Sequence, residues 1–333
     1  MFLSTFSNET LIEETLLHCL KSKIEVVRIN LEDLIPHPHN NLRIAVKDDD
    51  VLIAVDKKVH LLSEFSLVWQ RRISNNFLSG ERVFASYGDS IPKTLCRQLI
   101  NEVYEVRDLL LHFFEYLEIP VINNYDHVCR SKPFQSIKAK EFGLNSPSIM
   151  VSNSVDELSS FIKAQDSITK TIGGVGYIND EDQVLSLGTT KLDEGFTKDI
   201  STETTFPSFV QQLVKSKYEL KCILVGDELY CIKQFSPDGD IPTTDIKQAL
   251  SNNLIKKEQY HLEESVKEKV IKLCQSFNLE LCTVDIIYSD QEEYVFIEIN
   301  PDGIVEYYGS YLDKNIHEVI FRWLLKRARQ ITE

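Results

Sequence analysis

The chain has 333 residues, 43% of them apolar, and a formal net charge of -15. That length suits two or three packed units. Such a polyanion repels nucleic acid and anionic membrane surfaces, so neither is an expected partner.

The opening segment MFLSTFSNETLIEETLLHCL lacks the basic region and continuous apolar stretch of a signal peptide. No run approaches the roughly 20 apolar residues of a membrane-spanning helix. Seven cysteines occur without any C-x-x-C pair, several of them inside apolar runs. This usage predicts reduced thiols acting as small hydrophobes in a cytoplasmic protein, with no structural zinc.

Residues 2–6 predict a short strand. Thr10–Leu20 has the spacing of an amphipathic helix, and Ile24–Ile29 predicts a second strand. The first turn of this β-α-β opening holds no glycine, which argues against a dinucleotide site. Leu52–Val55 and Val59–Leu62 predict a hairpin, Ser66–Trp69 a strand, and Lys93–Leu117 a long helix. A change of unit is expected near 118–125. A short basic helix follows, stopped by Gly143, then a strand, a helix over Val155–Ala164, and a strand carrying Lys170 ahead of the loop Gly173-Gly174-Val175-Gly176. Residues 178–205 read as polar and irregular. Strand patterns resume at SFVQQLV, ELKCILVG and ELYCIKQFS, the last two meeting in a tight turn at Gly226-Asp227. Residues 237–261 read as polar loop, and Glu264–Phe277 as an amphipathic helix. Strands over Cys282–Tyr288 and Tyr294–Ile299 precede a final helix over Asn315–Arg329.

The segment EYVFIEINPDG (293–303) raises the main chemical question, because Glu298 sits inside an apolar strand. Side chains alternate along a strand, so Glu298 and Asn300 share a face. A hairpin closing on Gln291-Glu292 puts Asp285 opposite Glu298, whereas a longer loop puts Asp285 opposite Phe296. Both registers leave Asp285, Glu298 and Asn300 on one face. Two carboxylates within roughly 5–8 Å repel unless a cation lies between them. Three oxygen donors on rigid strands suit Mg²⁺ holding phosphate oxygens. Phosphates would in turn need lysines, and Lys132, Lys170, Lys221 and Lys233 sit in or beside apolar runs. Bare amides of the glycine loop around Gly174 can approach a phosphate closely.

With SKPFQ, ITKTIGG, VQQLV, YELK, VDII and FIEINPDG in that order, residues from about 120 to 330 resemble the ATP-grasp superfamily. Within it the chain is most similar to the graspetide synthetases, or microviridin-type peptide maturases. That likeness rests on VWQRR (68–72), KYELKCILVGDELYCIKQFS (217–236), TDIK (244–247) and FIEINPDG. The resemblance implies an α+β ATP-grasp fold with an N-terminal α/β domain over 1–118, a central subdomain over 119–205 and a C-terminal subdomain over 206–333. It implies ATP and Mg²⁺ as cofactors and a ribosomally made precursor peptide with a leader segment as partner. An Asp or Glu carboxylate of that peptide would be activated as an acyl phosphate. A Ser, Thr or Lys side chain would then capture it in an ester or amide ring.

Carried over by the resemblance, Lys132 and Lys170 contact phosphates, Gln212, Leu213 and Val214 present backbone to adenine, and Glu219 holds the ribose. Asp285, Glu298 and Asn300 hold the metal. Lys221 and Lys247 stand where relatives have arginine, facing the γ-phosphate or the substrate carboxylate. Lysine keeps the charge there but loses a bidentate grip. IVEYYG after Gly303 also departs from the family's Gly-Gln-aromatic pattern. The resemblance implies a homodimer. An ATP-grasp ligase acting on a small molecule, or a nucleotide-binding protein without catalysis, are the alternative readings.

Overall fold

The computed structural model describes residues 2–4, 9–34, 42–55, 58–73, 92–124, 127–172, 176–180, 183–193, 195–196, 202–236 and 255–330. Gly174 and Lys247 lie outside the described residues. By contacts the chain divides into two compact units, Met1–Asn124 with Lys314–Glu333, and Tyr125–Asp313.

The first unit begins with β1 (Phe2–Ser4), helix α1 (Thr10–Lys21) and β2 (Arg28–Asn30). The second strand starts later than the apolar pattern predicts. Lys23 adopts a left-handed φ of 57°, and the Ile24 amide donates back to the Cys19 carbonyl at 3.0 Å. The turn that ends α1 therefore runs to Ile24. A three-stranded antiparallel sheet follows, with β3 (Leu42–Lys47), β4 (Asp50–Val55) and β5 (Lys58–Leu61). Next come β6 (Val68–Arg71), the long helix α2 (Lys93–Tyr116) and β7 (Val121–Ile122). Strands β2-β1-β6-β7 form a parallel sheet. Leu3, Ile29, Val68, Leu110 and Phe114 lie in the core beside it.

The VWQRR segment is used to hold this unit together. Glu9, its side chain fully buried, caps α1 by accepting from the Leu11 amide at 3.0 Å. Its other oxygen accepts from Nε of Arg71, with Nε of Arg72 at 3.4 Å. The Gln70 carboxamide donates to the Asn123 carbonyl.

The second unit contains helix α3 (Lys132–Glu141), β8 (Ile149–Ser154), α4 (Val155–Ala164), β9 (Ser167–Thr169), the hairpin β10 (Gly176–Asp180) and β11 (Gln183–Leu187), β12 (Thr190–Leu192) and β13 (Thr204–Gln212). It continues with β14 (Ser216–Val225), β15 (Glu228–Phe235), β16 (Lys256–Tyr260), α5 (Glu264–Gln275), β17 (Leu281–Ser289), β18 (Tyr294–Asn300) and α6 (Val305–Gly309). Helix α3 ends on Gly143, whose φ of +74° a side chain would strain. Strands β12-β9-β13-β8 make one antiparallel sheet and β16-β15-β14-β17-β18 another. On one face of the larger sheet Leu220, Cys222, Val284, Ile286, Phe296 and Ile299 pack with Val270, Leu273 and Cys274 of α5.

The last helix, α7 (Ile316–Arg329), groups with the first unit rather than with the C-terminal strands that precede it. The His18 ring of α1 stacks on Phe321 of α7 at 5.4 Å. The seven cysteines are all buried and free. No helix among the described residues is long and apolar enough to cross a membrane.

Glu9→Ala takes away the carboxylate that two guanidinium groups share and an N-cap as well. Removing one partner of a buried ion pair costs about 3–5 kcal/mol. Urea unfolding is expected to show a midpoint lowered to match, and an unchanged midpoint would contradict this role.

Candidate functional site

The β17–β18 hairpin decides where Glu298 points. Near the turn, Tyr288 pairs with Tyr294 and Ile286 with Phe296; farther on, Asp285 pairs with Glu298 and Thr283 with Asn300. One extra residue, Ile297, therefore bulges out of β18 between the two registers. A bulge of this kind reverses which face later side chains take. It lets Phe296 and Ile299 both enter the core, while Glu298 and Asn300 emerge on the opposite face beside Asp285. Neither uniform register expected from the sequence holds along the whole hairpin, but the pairing of Asp285 with Glu298 does.

Three lysines from separate elements converge on these acids. Lys132 is the first residue of α3, where the helix dipole disfavours a cation. Its Nζ lies 3.8 Å from Glu298. Lys170 follows β9 of the smaller sheet, and its Nζ lies 3.9 Å from the same Glu298 oxygen. Lys221 on β14 is paired across the sheet with Asp285 and makes a direct ion pair with it. The three lysine side chains are only 13–16% exposed. Burial, aided by the Lys132 charge, pulls the Lys170 ammonium below the ordinary lysine range, against the opposing pull of Glu298 and Asp285. Burial also works against Lys221, but Asp285 and the Tyr308 hydroxyl outweigh it and hold its ammonium above that range. Burial and the neighbouring Glu298 raise the Asp285 carboxyl, with Lys221 opposing.

Asp285, Glu298 and Asn300 are hard oxygen donors of the type that suits a divalent ion with phosphate oxygens. Among the described residues no three His, Cys, Asp or Glu side chains cluster to hold a metal. The fit thus rests on two carboxylates and a carboxamide. A carboxyl raised by burial beside a second carboxylate gains from an added cation.

A supporting set that sequence reasoning missed fixes these groups. Gln135, 1% exposed, stands three residues after Lys132 on α3. Its Oε1 accepts from the Ile299 amide at 2.9 Å, and its Nε2 donates to the Ile299 carbonyl at 2.9 Å and to the Cys129 carbonyl. The carboxamide thus serves β18 as a further strand would, and ties the Lys132 helix to the residue beside Glu298. Arg130 pairs with Asp302 in the Pro-Asp-Gly turn, while Asn300 Oδ1 accepts from the Asp302 amide at 3.1 Å. Gly303 presses on Thr283 so closely that a Cβ would lie 1.9 Å from its Oγ1. Only the glutamine in SKPFQ and the glycine after Pro-Asp were visible signals, and neither names its partner.

Other expected residues are placed less uniformly. Glu219 lies on the face of Lys221, two residues along β14. Lys233 is not brought to this group. It pairs with Leu220 of the core face, meets Glu258 at 3.2 Å and lies over the Tyr218 and Phe235 rings. Gln212 ends β13, and Leu213 and Val214 follow it. The amides of Gln212 and Leu213 already donate to the Ser148 and Asp166 carbonyls at 2.9 and 2.8 Å.

A family model described as a RimK-like ATP-grasp domain matches residues 143–324. Sequence comparison with curated proteins gives no match. Among solved structures, the chain is similar to a Chryseobacterium gregarium RiPP-associated ATP-grasp ligase in complex with ADP and a leader and core peptide. The TM-score is 0.80 at 22% identity, covering 98% of this chain and 96% of that one. Macrocyclase MdnC of Microcystis aeruginosa MRC, bound with precursor peptide MdnA, gives a TM-score of 0.77 at 19% identity over 98% and 99% of the two chains. ATP-grasp ligase PsnB with minimal precursor, Mg and ADP gives 0.74 at 14% identity over 98% and 96%.

Gln135→Leu keeps the bulk but removes the acceptor for the Ile299 amide and the donor for its carbonyl. Each buried group left unsatisfied costs about 1–3 kcal/mol. Faster hydrogen exchange at the Ile299 amide and a lowered urea midpoint are expected, and unchanged exchange there would contradict the assignment.

Proposed function

The chain belongs to the RimK-like ATP-grasp family and has the ATP-grasp fold, and on that premise we propose that it is an ATP-dependent peptide ligase. Its substrate would be a ribosomally made precursor peptide with a leader segment, and its product a ring closed between an Asp or Glu side chain and a Ser, Thr or Lys side chain. The observation that carries this reading is the convergence of Lys132, Lys170 and Lys221 on Asp285 and Glu298. The fold likeness to ligases solved with leader, core or precursor peptides supports the substrate class.

In this reading Asp285, Glu298 and Asn300 hold Mg²⁺, and Lys132 and Lys170 bind nucleotide phosphates. Glu219 meets the ribose, and backbone at Gln212, Leu213 and Val214 faces adenine. The amides already engaged at Gln212 and Leu213 leave their carbonyls and Val214 for that task. When bound, MgATP supplies the phosphoryl group that activates the substrate carboxylate. Lys221 neutralises charge at the reacting end and orients that carboxylate, with the Tyr308 ring 5.2 Å from its Nζ. Lys247 is assigned to the same end by resemblance. No enzyme nucleophile is needed, because phosphoryl transfer is served by positioning and charge neutralisation. Lys170, whose ammonium is lowered by burial, regains a favourable charge beside a phosphate.

Incubation with ATP, Mg²⁺ and the small peptide encoded beside the gene is expected to remove about 18 Da per ring, one water, as an acyl phosphate condenses. Lys221→Met is expected to lower that rate by at least about 100-fold, as loss of a preorganised charge at a reacting centre does, and Lys221→Arg to recover part of it. ADP release with free amino acids but no peptide mass change would refute the peptide reading.

A further inference from the structure

The register extends this face beyond the acids and lysines already described. From Glu219 the paired positions run to Gln234 on β15 and on to Lys257 on β16; from Lys221 they run to Ile232 and Gln259. The segment around α6 follows the same line. Its Tyr308 ring meets Lys221, and Tyr307 and Tyr311 both face Lys257, whose Nζ lies 5.3 Å from each ring centroid. The Asp313 amide donates to the Gln259 side chain at 2.8 Å, which ties the end of this segment to β16.

Lys257 differs from several lysines of this unit. Lys217, Lys233 and Lys267 each have a carboxylate within 3.3 Å, whereas Lys257 has none among the described residues. A hydrogen bond from Lys257 draws the Tyr307 hydroxyl below the usual phenol range. Tyr307 and Tyr311 remain 42% and 37% exposed. Beside them Gln234, 3% exposed, has its Oε1 buried without a hydrogen-bond partner. An ammonium walled by two rings, with phenol hydroxyls at hand, suits one carboxylate. In a chain of net charge -15, an acidic peptide needs such a local cation to dock.

We propose that Lys257, Tyr307 and Tyr311 form a subsite for a second acidic residue of the peptide substrate, separate from the carboxylate activated at Lys221. This rests on the peptide-ligase reading. Lys257 lies two strands across and two residues along from Lys221. With strands about 4.8 Å apart and a rise of about 3.4 Å per residue, the separation is about 12 Å. An extended peptide spans that in about three or four residues, so the second acid belongs about three or four positions from the activated one.

The test uses the full chain loaded with MgADP and two capped peptides, one with two glutamates three positions apart and one with the second replaced by glutamine. Calorimetry is expected to show the two-acid peptide binding about 3–10-fold more tightly, the range for a partly exposed charge contact. Lys257→Gln should erase that preference, and Lys257→Arg should keep it, with MgADP affinity reporting an intact site in each variant. No preference in the unaltered protein, or an equal preference in Lys257→Gln, would overturn the subsite. Ring formation is read separately as water loss from the peptide encoded beside the gene. Loss of that activity reading alone leaves the binding result standing.

Discussion

The charge balance between Asp285 and Glu298 governs the second unit. Two carboxylates facing each other across a strand pair repel, and they persist here because three lysine ammonium groups close on them. The bulge at Ile297 makes the arrangement compatible with a packed sheet. Without it, Phe296 and Glu298 would take the same face, and either the core would receive a charge or the site would receive a phenyl ring. The extra residue separates them, so β18 contributes Phe296 and Ile299 to the core and Glu298 to the site.

The lysines come from α3, from the end of β9 and from β14, which belong to different layers of the unit. Their meeting point therefore depends on how those layers are held. Gln135 supplies one link by bridging both backbone groups of Ile299. Arg130 with Asp302, and Gly303 against Thr283, supply two more around the Pro-Asp-Gly turn. A fold with these ties holds three lysine ammonium groups and two carboxylates together, as the proposed phosphate and metal site needs. Such preorganisation is what phosphoryl transfer requires of a protein.

Much of this was legible in the chain because apolar periodicity and one misplaced acid are strong signals. Helix Val155–Ala164, the strands of the Gly226 hairpin and the shared face of Asp285 and Glu298 follow from spacing alone. Other features were not legible for physical reasons. Strand β16 reads Lys-Lys-Glu-Gln-Tyr, a polar run that becomes a strand only by pairing along the edge of β15. Reading 237–261 as loop therefore hid Lys257. Lys233 looks like Lys221 in sequence, each following an apolar residue of a strand pattern, yet parity across the hairpin sends it to the other face. The bulge has no sequence mark, since Ile297 fits a regular strand as well as a bulged one. Gln135 looks like a surface residue of a basic helix until Ile299 is seen beside it.

The proposed site requires Glu298 to exchange its lysine partners for a metal ion when nucleotide arrives. Calorimetric titration of ADP into the unaltered protein and Glu298→Gln, each with and without Mg²⁺, tests it most directly. Mg²⁺ is expected to tighten ADP binding by at least about 10-fold in the unaltered protein, or about 1.4 kcal/mol. In Glu298→Gln that gain should collapse, while metal-free ADP should bind at least as well as before, because Lys132 and Lys170 no longer answer to a carboxylate. An Mg²⁺ gain that survives the substitution undiminished would contradict it.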